Sequence, residues 1–229
     1  MCGEEMNLSW QQIPSPIITE IMCKYADGVV LDTEHGCFNN ESISACIQVA
    51  TLAKKHCFVR LTEISNTLIR YCLDSGATGL IFSTVETEEQ ARLIKELSCF
   101  PPNGSRGLGL VRSNFWGEQS LLAEDPILIP QIETKAGVDN LEKIINFNFD
   151  YYLIGPYDLS LSLNIPGKFD NDQFLCYINR VKEKVPTAKM AVHIPNDVKR
   201  QIHKYEDYGL KCLGMDTIAL LETNKEFFQ

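Results

Sequence analysis

The chain has 229 residues, a formal net charge of −9 at pH 7 and a pI near 5.0. This acidic balance excludes a nucleic-acid surface, because phosphate binding needs clustered Lys and Arg. No apolar run approaches the ~18–20 residues of a membrane span. The start, MCGEEMNLSW, has acids where a secretory signal needs basic residues and an apolar core. We therefore expect a cytoplasmic protein, with residues 1–229 forming one domain and no nucleic-acid or membrane partner.

Apolar strand-like segments alternate with helical patterns along the chain. The predicted strands are NLSWQQI, DGVVLD, HCFVRLT, TGLIFSTV, ILIPQIE, DYYLIG, KMAVHI and KCLGMDTI. The predicted helices are NNESISACIQVATLAKK, NTLIRYCLDSGA, ETEEQARLIKELSCF, KAGVDNLEKIINF, DQFLCYINRVKEKV and DVKRQIHKYEDYG. PPNGSRGLGLVRS and the segment after DYYLIG are predicted loops. This alternation indicates parallel strands joined by right-handed crossovers.

Two parallel architectures fit this pattern, an open doubly wound sheet and a closed barrel. Seven or eight strands can be counted, including NLSWQQI as the first. The chain lacks G-x-G-x-x-G, and GLGL at 107–110 is too short and has no helix after it. We therefore predict an α/β (β/α)8 TIM barrel. Its last helix is expected to be truncated, because the chain ends soon after MDTIALL.

The nine cysteines occur at irregular intervals, and none forms a C-x-x-C pair. Zinc ribbons and disulfide frameworks need regular spacing, so we interpret the cysteines as small, reduced core residues. Cys37 is singled out because it adjoins the polar motif DTEHG.

Charged residues recur where the predicted strands end. In a (β/α)8 barrel the chemistry takes place there, because the loops that follow the strands converge on one mouth. The residues at this position are Asp32, Glu34, His35, Arg60, Glu86, Glu133 and Asp158. Each alone is a weak signal, but together they predict a site at the barrel mouth.

Glu133 and Asp158 are separated by about one strand–helix unit, which places them on neighbouring strands. Two converging acids repel each other unless a cation lies between them. Oxygen ligands without Cys or His favour a hard divalent ion, Mg²⁺ or Mn²⁺, with Co²⁺ as a third candidate. Two alternatives remain open: Glu133 paired with a surface lysine, and Asp158 as a helix or turn cap.

Arg60 interrupts an apolar strand, and a guanidinium at a strand end needs an anion. That anion is either an acid of the barrel itself or a carboxylate or enolate oxygen of a substrate, and we favour the substrate.

His35 is a candidate for proton transfer, because an imidazole changes its charge near neutral pH. Asp32 and Glu34 are close enough in sequence to fix its tautomer, and Asp74 is placed to reach the site from its own or a neighbouring subunit. The other histidines are weaker candidates: His193 follows a strand, while His56 and His203 are predicted on the surface. No lysine lies clearly at a strand end, so a Schiff base is not expected.

Six segments in this order resemble the class II pyruvate aldolases of the HpcH/HpaI family. They are VVLDTEHG, LDSGATGLIF, VETEEQA, PPNGSRGLGL, QIETKAGVDNLEKI and IGPYDLSLSLNIPGKFD, and the resemblance covers about residues 8–220. It implies a (β/α)8 barrel that assembles as a homo-oligomer, a trimer or hexamer. It also implies reversible cleavage of a 4-hydroxy-2-oxo acid to pyruvate and an aldehyde, as in 4-hydroxy-2-oxoheptanedioate and 2-keto-3-deoxysugar-acid aldolases.

The resemblance also implies roles for individual residues. By motif, His35 corresponds to the general base, Arg60 to the residue that holds the pyruvate oxygens, and Asp74 to the acid associated with the catalytic histidine. Glu133 and Asp158 match the metal ligands. The segment Gly155, Pro156 and Tyr157 matches the substrate-binding cradle, in which backbone amides bind the pyruvate carboxylate.

The chain departs from the family pattern at four positions that line the predicted mouth: Cys37, Phe38, Phe82 and Ser83. These changes bear on the aldehyde rather than on pyruvate. Two alternative functions remain: an oxaloacetate decarboxylase that uses the same metal enolate, and a barrel that binds keto acids or supports assembly without catalysis.

Overall fold

Eight parallel strands close into a barrel in the computed structural model, which describes residues 5–119 and 125–229. Each strand pairs with the next one in sequence, and the first pairs with the last. The strands are β1 (Met6–Gln11), β2 (Gly28–Asp32), β3 (His56–Leu61), β4 (Gly79–Phe82), β5 (Ile127–Ile132), β6 (Tyr152–Ile154), β7 (Met190–Ile194) and β8 (Leu210–Met215). The predicted (β/α)8 barrel is confirmed. Residues 1–4 and 120–124 lie outside the description, so a single domain over 1–229 stays a prediction.

Ten α-helices are found in the described residues. They are α1 (Pro16–Cys23), α2 (Asn40–Leu52), α3 (Asn66–Asp74), α4 (Glu88–Ser98), α5 (Lys135–Asp139), α6 (Leu141–Ile145), α7 (Pro156–Ser162), α8 (Asp172–Lys184), α9 (Val198–Gln201) and α10 (Asp216–Phe228). Short 3₁₀ turns cover Arg112–Gly117, Thr187–Lys189 and Ile202–Tyr205.

Helix starts follow local sequence signals. Asn39 accepts a hydrogen bond from the Ser42 amide, and the Ser42 hydroxyl receives one from the Asn39 amide, so α2 begins with a reciprocal cap. Thr87 and Gln90 form the same arrangement at α4. Such pairs satisfy amides that the first helical turn leaves unbonded.

Three helical predictions differ from the structure. The predicted helix KAGVDNLEKIINF is divided at Asn140, whose side chain donates to the Glu86 carbonyl oxygen at 2.9 Å. Helix α7 occupies a segment predicted as loop and begins at Pro156, a residue whose fixed φ suits a first helical position. The last helix is not shortened, because α10 has 13 residues, as many as α2.

The barrel interior is filled in layers by inward-facing side chains. One buried cluster contains Leu8, Val30, Phe58, Ile81, Ile129, Leu153, Ala191, Leu210, Cys212 and Trp10. Since side chains two residues apart in a strand share a face, the next inward positions on β1, β3, β5 and β7 are Trp10, Arg60, Gln131 and His193. The upper layer is therefore polar on three of these four strands, and it forms the floor of the barrel mouth.

The eight described cysteines are free thiols, and six of them are buried. The interpretation as core residues is confirmed for those six and is wrong for Cys37 and Cys176, which are exposed. Cys2 lies outside the described residues. In the ranges that the structure describes, no helix is both long and apolar enough to cross a membrane.

Candidate active site at the barrel mouth

Asp32, at the end of β2, holds the Arg60 guanidinium in place. Its Oδ1 lies 2.9 Å from Nε and 2.7 Å from an Nη of Arg60, and both residues are buried. Its Oδ2 accepts hydrogen bonds of 3.1 Å from Trp10 Nε1 and Gln12 Nε2. Burial alone would raise the pKa of Asp32, but the charge and hydrogen bonds of Arg60, with those from Gln12 and Trp10, lower it below its ordinary value. The carboxylate therefore stays ionised at neutral pH.

Arg60 makes a second ion pair, with Glu34 at 2.8 Å, and Glu34 also accepts a hydrogen bond of 2.7 Å from Ser83. The partners of Arg60 in this structure are thus acids of the barrel, whereas the sequence pattern favours a substrate oxygen. A guanidinium has five N–H groups, and these contacts use three of them. Donors remain for an oxygen of a substrate.

His35 lies in the turn after β2, with its side chain exposed. Its backbone amide, like that of Glu34, donates to Asp32 Oδ1, at 3.2 and 3.1 Å. The acids of DTEHG therefore anchor the turn and Arg60. In the described residues they make no hydrogen bond to the His35 ring, so the expectation that they fix its tautomer is not supported.

Glu133 lies directly after β5 and is only 3% exposed. Its Oε1 accepts hydrogen bonds from the Thr84 amide at 2.7 Å and the Thr84 hydroxyl at 2.8 Å, and its Oε2 accepts one from the Gln131 side-chain amide. Thr84 has a φ of 56°, an uncommon conformation for a β-branched residue, and this directs both of its donors to one oxygen. Glu133 is thus held by neutral donors, not by a lysine.

Negative charge is concentrated around Glu133. Burial raises its pKa, the Thr84 hydrogen bonds lower it, and the charges of Asp158 and Glu34 raise it further, so that the net shift is upward. Asp158 lies in the first turn of α7, and no side-chain hydrogen bond caps that helix. Asp158 is exposed, and its side chain does not cap α7. Its negative charge acts on Glu133.

These acids fit a hard divalent cation. Mg²⁺ is commonly bound by one or two carboxylates, with water and substrate oxygens completing the octahedron. A carboxylate offers about four acceptor positions, and Glu133 uses three in its present contacts. The buried Gln131 Oε1 beside it has no hydrogen-bond partner among the described residues. A cation at this point would relieve the repulsion that raises the pKa of Glu133.

Gly155 brings β6 close to Glu133. A Cβ atom at this position would lie 2.6 Å from Glu133 Cβ and 2.7 Å from Oε2, so only glycine fits. The Gly155 amide donates to the Ile132 carbonyl oxygen at 3.2 Å, and Pro156 has no N–H. The predicted cradle therefore keeps one free amide, that of Tyr157, and the Asp158 amide follows it in the first turn of α7.

Two predicted residues make none of these contacts in the described part of the chain. Asp74 ends α3, five residues before β4 starts at Gly79, and therefore lies at the opposite end of the barrel from His35. It pairs there with Arg106 at 2.8 Å, and its side chain is 28% exposed. Glu86 accepts a hydrogen bond from the Thr134 hydroxyl at 2.7 Å. This contact joins the loop after β4 to the loop after β5. A single chain does not bring Asp74 to the mouth.

Four residues that build the site were not predicted from the sequence: Trp10, Gln12, Thr84 and Gln131. A signal was available, because each lies within the last two residues of a strand of the barrel or just beyond it. Neutral polar residues are common at such positions, so only the three-dimensional contacts distinguish them. His56 and His203 are exposed, as predicted.

Comparisons with known proteins identify the family of the chain. The family model described as HpcH/HpaI aldolase/citrate lyase matches residues 10–220. A hydroxypyruvate/pyruvate aldolase of Roseovarius nubinhibens is 31% identical over 227 residues, covering 95% of this chain and 88% of the relative. A 4-hydroxy-2-oxovalerate aldolase of Rhodococcus jostii is 29% identical over 202 residues, covering 85% and 78%.

Solved structures show the same fold. An HpcH/HpaI aldolase/citrate lyase family protein from Burkholderia cenocepacia superposes with a TM-score of 0.89 at 24% identity, covering 99% of this chain and 94% of that one. The citrate synthase SbnG superposes with a TM-score of 0.84 at 26% identity, covering 97% and 91%. The family match and the aldolase relatives identify an enzyme of the aldolase and lyase class. The chain belongs to the HpcH/HpaI aldolase/citrate lyase family.

Proposed function

We propose that the protein is a metal-dependent aldolase that reversibly cleaves a 4-hydroxy-2-oxo acid to pyruvate and an aldehyde. Family membership and the names of the relatives support the reaction class. The observation that carries the proposal is the buried carboxylate of Glu133. It is held by Thr84 and Gln131 in the same mouth as the paired Arg60, and the charge of Asp158 acts on it.

Glu133 and Asp158 are the residues that would hold the divalent ion, Mg²⁺ or Mn²⁺, with Co²⁺ as a third candidate. When bound, the ion supplies a Lewis acid that stabilises negative charge on the oxygen of an enolate. The Gln131 side chain fixes one Glu133 oxygen, and Thr84 fixes the other. The carboxylate therefore needs little reorganisation to bind a cation.

The chain's own residues bind the substrate and move the proton. The remaining N–H donors of Arg60 bind the oxo-acid oxygens, and the Tyr157 and Asp158 amides bind its carboxylate. His35 removes the proton of the 4-hydroxyl group. The electron pair of that O–H bond forms the aldehyde carbonyl as the C3–C4 bond breaks, and the C3–C4 pair is left on pyruvate as its enolate. A proton added at C3 then gives pyruvate.

Asp74 contributes to this scheme only from a second copy of the chain. We propose a homo-oligomer, a trimer or hexamer, in which Asp74 of one subunit lies near His35 of another. Helix α10 supports assembly, because Leu220, Leu221, Phe227 and Phe228 are exposed on it. Location in the cytoplasm, expected from the sequence, stays a prediction.

Exchange of the pyruvate methyl protons for deuterium tests the proposal, because exchange reports enolisation without any aldehyde. We expect exchange with Mg²⁺ or Mn²⁺, loss with EDTA, and recovery when metal is restored. Glu133→Gln removes one charged ligand, and we expect it to weaken Mn²⁺ binding, measured by calorimetry, at least about 10-fold. Glu142→Gln is the matched control, because Glu142 pairs with Lys184 on the surface and should leave metal binding unchanged.

The same measurements separate the alternatives. Tight pyruvate binding without exchange would identify a binding barrel and contradict the aldolase. An oxaloacetate decarboxylase needs no base at the 4-hydroxyl. His35→Ala should therefore abolish aldol cleavage and largely spare decarboxylation, and equal loss of both activities would contradict the role given to His35.

A further inference from the structure

His193 lies in the barrel mouth, but the reaction proposed above gives it no role. It follows the interior residue Ala191 by two positions in β7, so its side chain faces the barrel interior in the same layer as Arg60. It keeps partial exposure, whereas Trp10 beside it is 1% exposed. A titratable side chain is thus presented on the floor of the mouth.

The imidazole is fixed in position and in tautomer. Its ring stacks on Trp10 with the centroids 4.1 Å apart and the planes 15° from parallel. Its Nε2 lies 3.3 Å from the Gly214 carbonyl oxygen, which can only accept a hydrogen bond, so Nε2 carries the proton. Burial lowers the pKa of His193 to about 4, and the ring is therefore neutral at neutral pH. Its Nδ1 is then a hydrogen-bond acceptor.

Open space adjoins Gly214, the β8 residue whose carbonyl oxygen contacts the His193 ring. Gly214 has a φ of 70°, and a Cβ atom built on it would meet nothing within 4 Å. On the other side of β7 the space above Gly155 is filled by Glu133. A substrate that fills the mouth beyond Glu133 therefore has room beside Gly214 and His193.

We propose that His193 is a specificity-determining residue that accepts a hydrogen bond, at Nδ1, from a hydroxyl group on the aldehyde half of the substrate. The inference rests on the proposed aldolase function, which places the oxo-acid half at Glu133 and Arg60, on β5 and β3. The aldehyde half then begins near His35, after β2, and we place its remainder toward β8 and β7, which follow β2 and β1 around the barrel. The favoured aldehydes are hydroxylated ones, and alkyl aldehydes of the same size leave the Nδ1 lone pair without a donor.

The size of the effect follows from hydrogen-bond energetics. A neutral hydrogen bond contributes about 1 kcal/mol net, and loss of the donor leaves a desolvated acceptor that costs more. We therefore expect a preference of about 10-fold or more for the hydroxylated aldehyde at equal size.

The test compares aldol addition of pyruvate to glycolaldehyde and to propionaldehyde, which have equal numbers of non-hydrogen atoms. The measured quantity is the ratio of the two kcat/KM values. His193→Leu and His193→Ala both remove the acceptor and should lower this ratio about 10-fold. His193→Gln keeps a side-chain acceptor and should retain a ratio between those of the wild type and His193→Leu. His203→Leu, at an exposed histidine, is the matched control and should keep the wild-type ratio.

A wild-type ratio in His193→Leu and His193→Ala overturns the proposal, and so does an equal fall in His193→Gln. Pyruvate proton exchange is measured first on the wild type and on every variant. This measurement distinguishes failure of the aldolase function from failure of the role given to His193. A wild-type protein that shows no exchange refutes the aldolase function itself. Exchange with an unchanged ratio refutes only the role of His193.

Discussion

Asp32 is the residue on which the geometry of the mouth most depends. It receives hydrogen bonds from two backbone amides, two neutral side chains and the Arg60 guanidinium. Its own charge balances that of Arg60 in a buried position, where an unpaired charge is costly. The motif DTEHG thus combines a structural anchor, Asp32, with an exposed candidate base, His35.

Asp32→Asn tests this role. The substitution leaves a buried guanidinium with only Glu34 as its charged partner, and we expect the free energy of unfolding to fall by about 3 kcal/mol. Urea denaturation at pH 7.5 measures the change. Asp139→Asn is the matched control, because Asp139 pairs with Lys135 and Arg180 on the surface, and its loss should stay below about 1 kcal/mol. Equal losses in the two variants would contradict the buried anchor.

The lowered pKa of His193 predicts that the stability of the fold depends on pH. Its pKa is about 4 in the folded protein and near 6.5 in an unfolded chain, so acid adds a proton to the unfolded state first. The stabilisation by the neutral ring is present above pH 6.5 and is lost as the pH falls toward 4, by at most about 3 kcal/mol. Unfolding of the wild type and of His193→Gln is compared at pH 7.5 and 5. The wild type should lose more stability, and identical losses would refute the assignment.

At the scale of elements, the junction of β6 and α7 determines where the proposed metal ligands meet. Gly155 allows β6 to approach Glu133, and Pro156 starts the helix that carries Asp158. Local sequence predicted the capped helices α2 and α4, because their caps are side chains near in sequence. It did not predict α7, whose N-cap residue, Gly155, makes no side-chain hydrogen bond.

Gly155→Ala tests the junction. The added methyl group overlaps the Glu133 side chain, so we expect Glu133 to move. The rate of pyruvate proton exchange should fall about 100-fold, because a catalytic group misplaced by about 1 Å can lower a rate by that factor. Gly109→Ala is the control, because its added Cβ would lie 3.3 Å from a single methyl group of Val111. Wild-type exchange in Gly155→Ala would show that the close approach is not needed.

At the scale of the whole molecule, the position of Asp74 makes the proposed oligomer testable. His35→Ala and Asp74→Asn should each be inactive in aldol cleavage. If Asp74 acts from a neighbouring subunit, oligomers assembled from both chains regain some sites with both residues intact, about one quarter at equal mixing. Activity is measured after the two variants are unfolded and refolded together, and sedimentation confirms assembly. No recovery in assembled mixtures would contradict a shared site.

The sequence by itself determined the barrel, the candidate residues at its mouth and the family. Strand and helix periodicity is local, and parallel strands place their carboxyl ends together whatever fills the loops. Only the tertiary structure decided the partners: Arg60 with Asp32 and Glu34, Thr84 and Gln131 with Glu133, His193 with Trp10, and Asp74 at the far end. The reason is that a contact between side chains of different strands depends on register and on the direction of each Cβ, and a linear pattern specifies neither for polar residues.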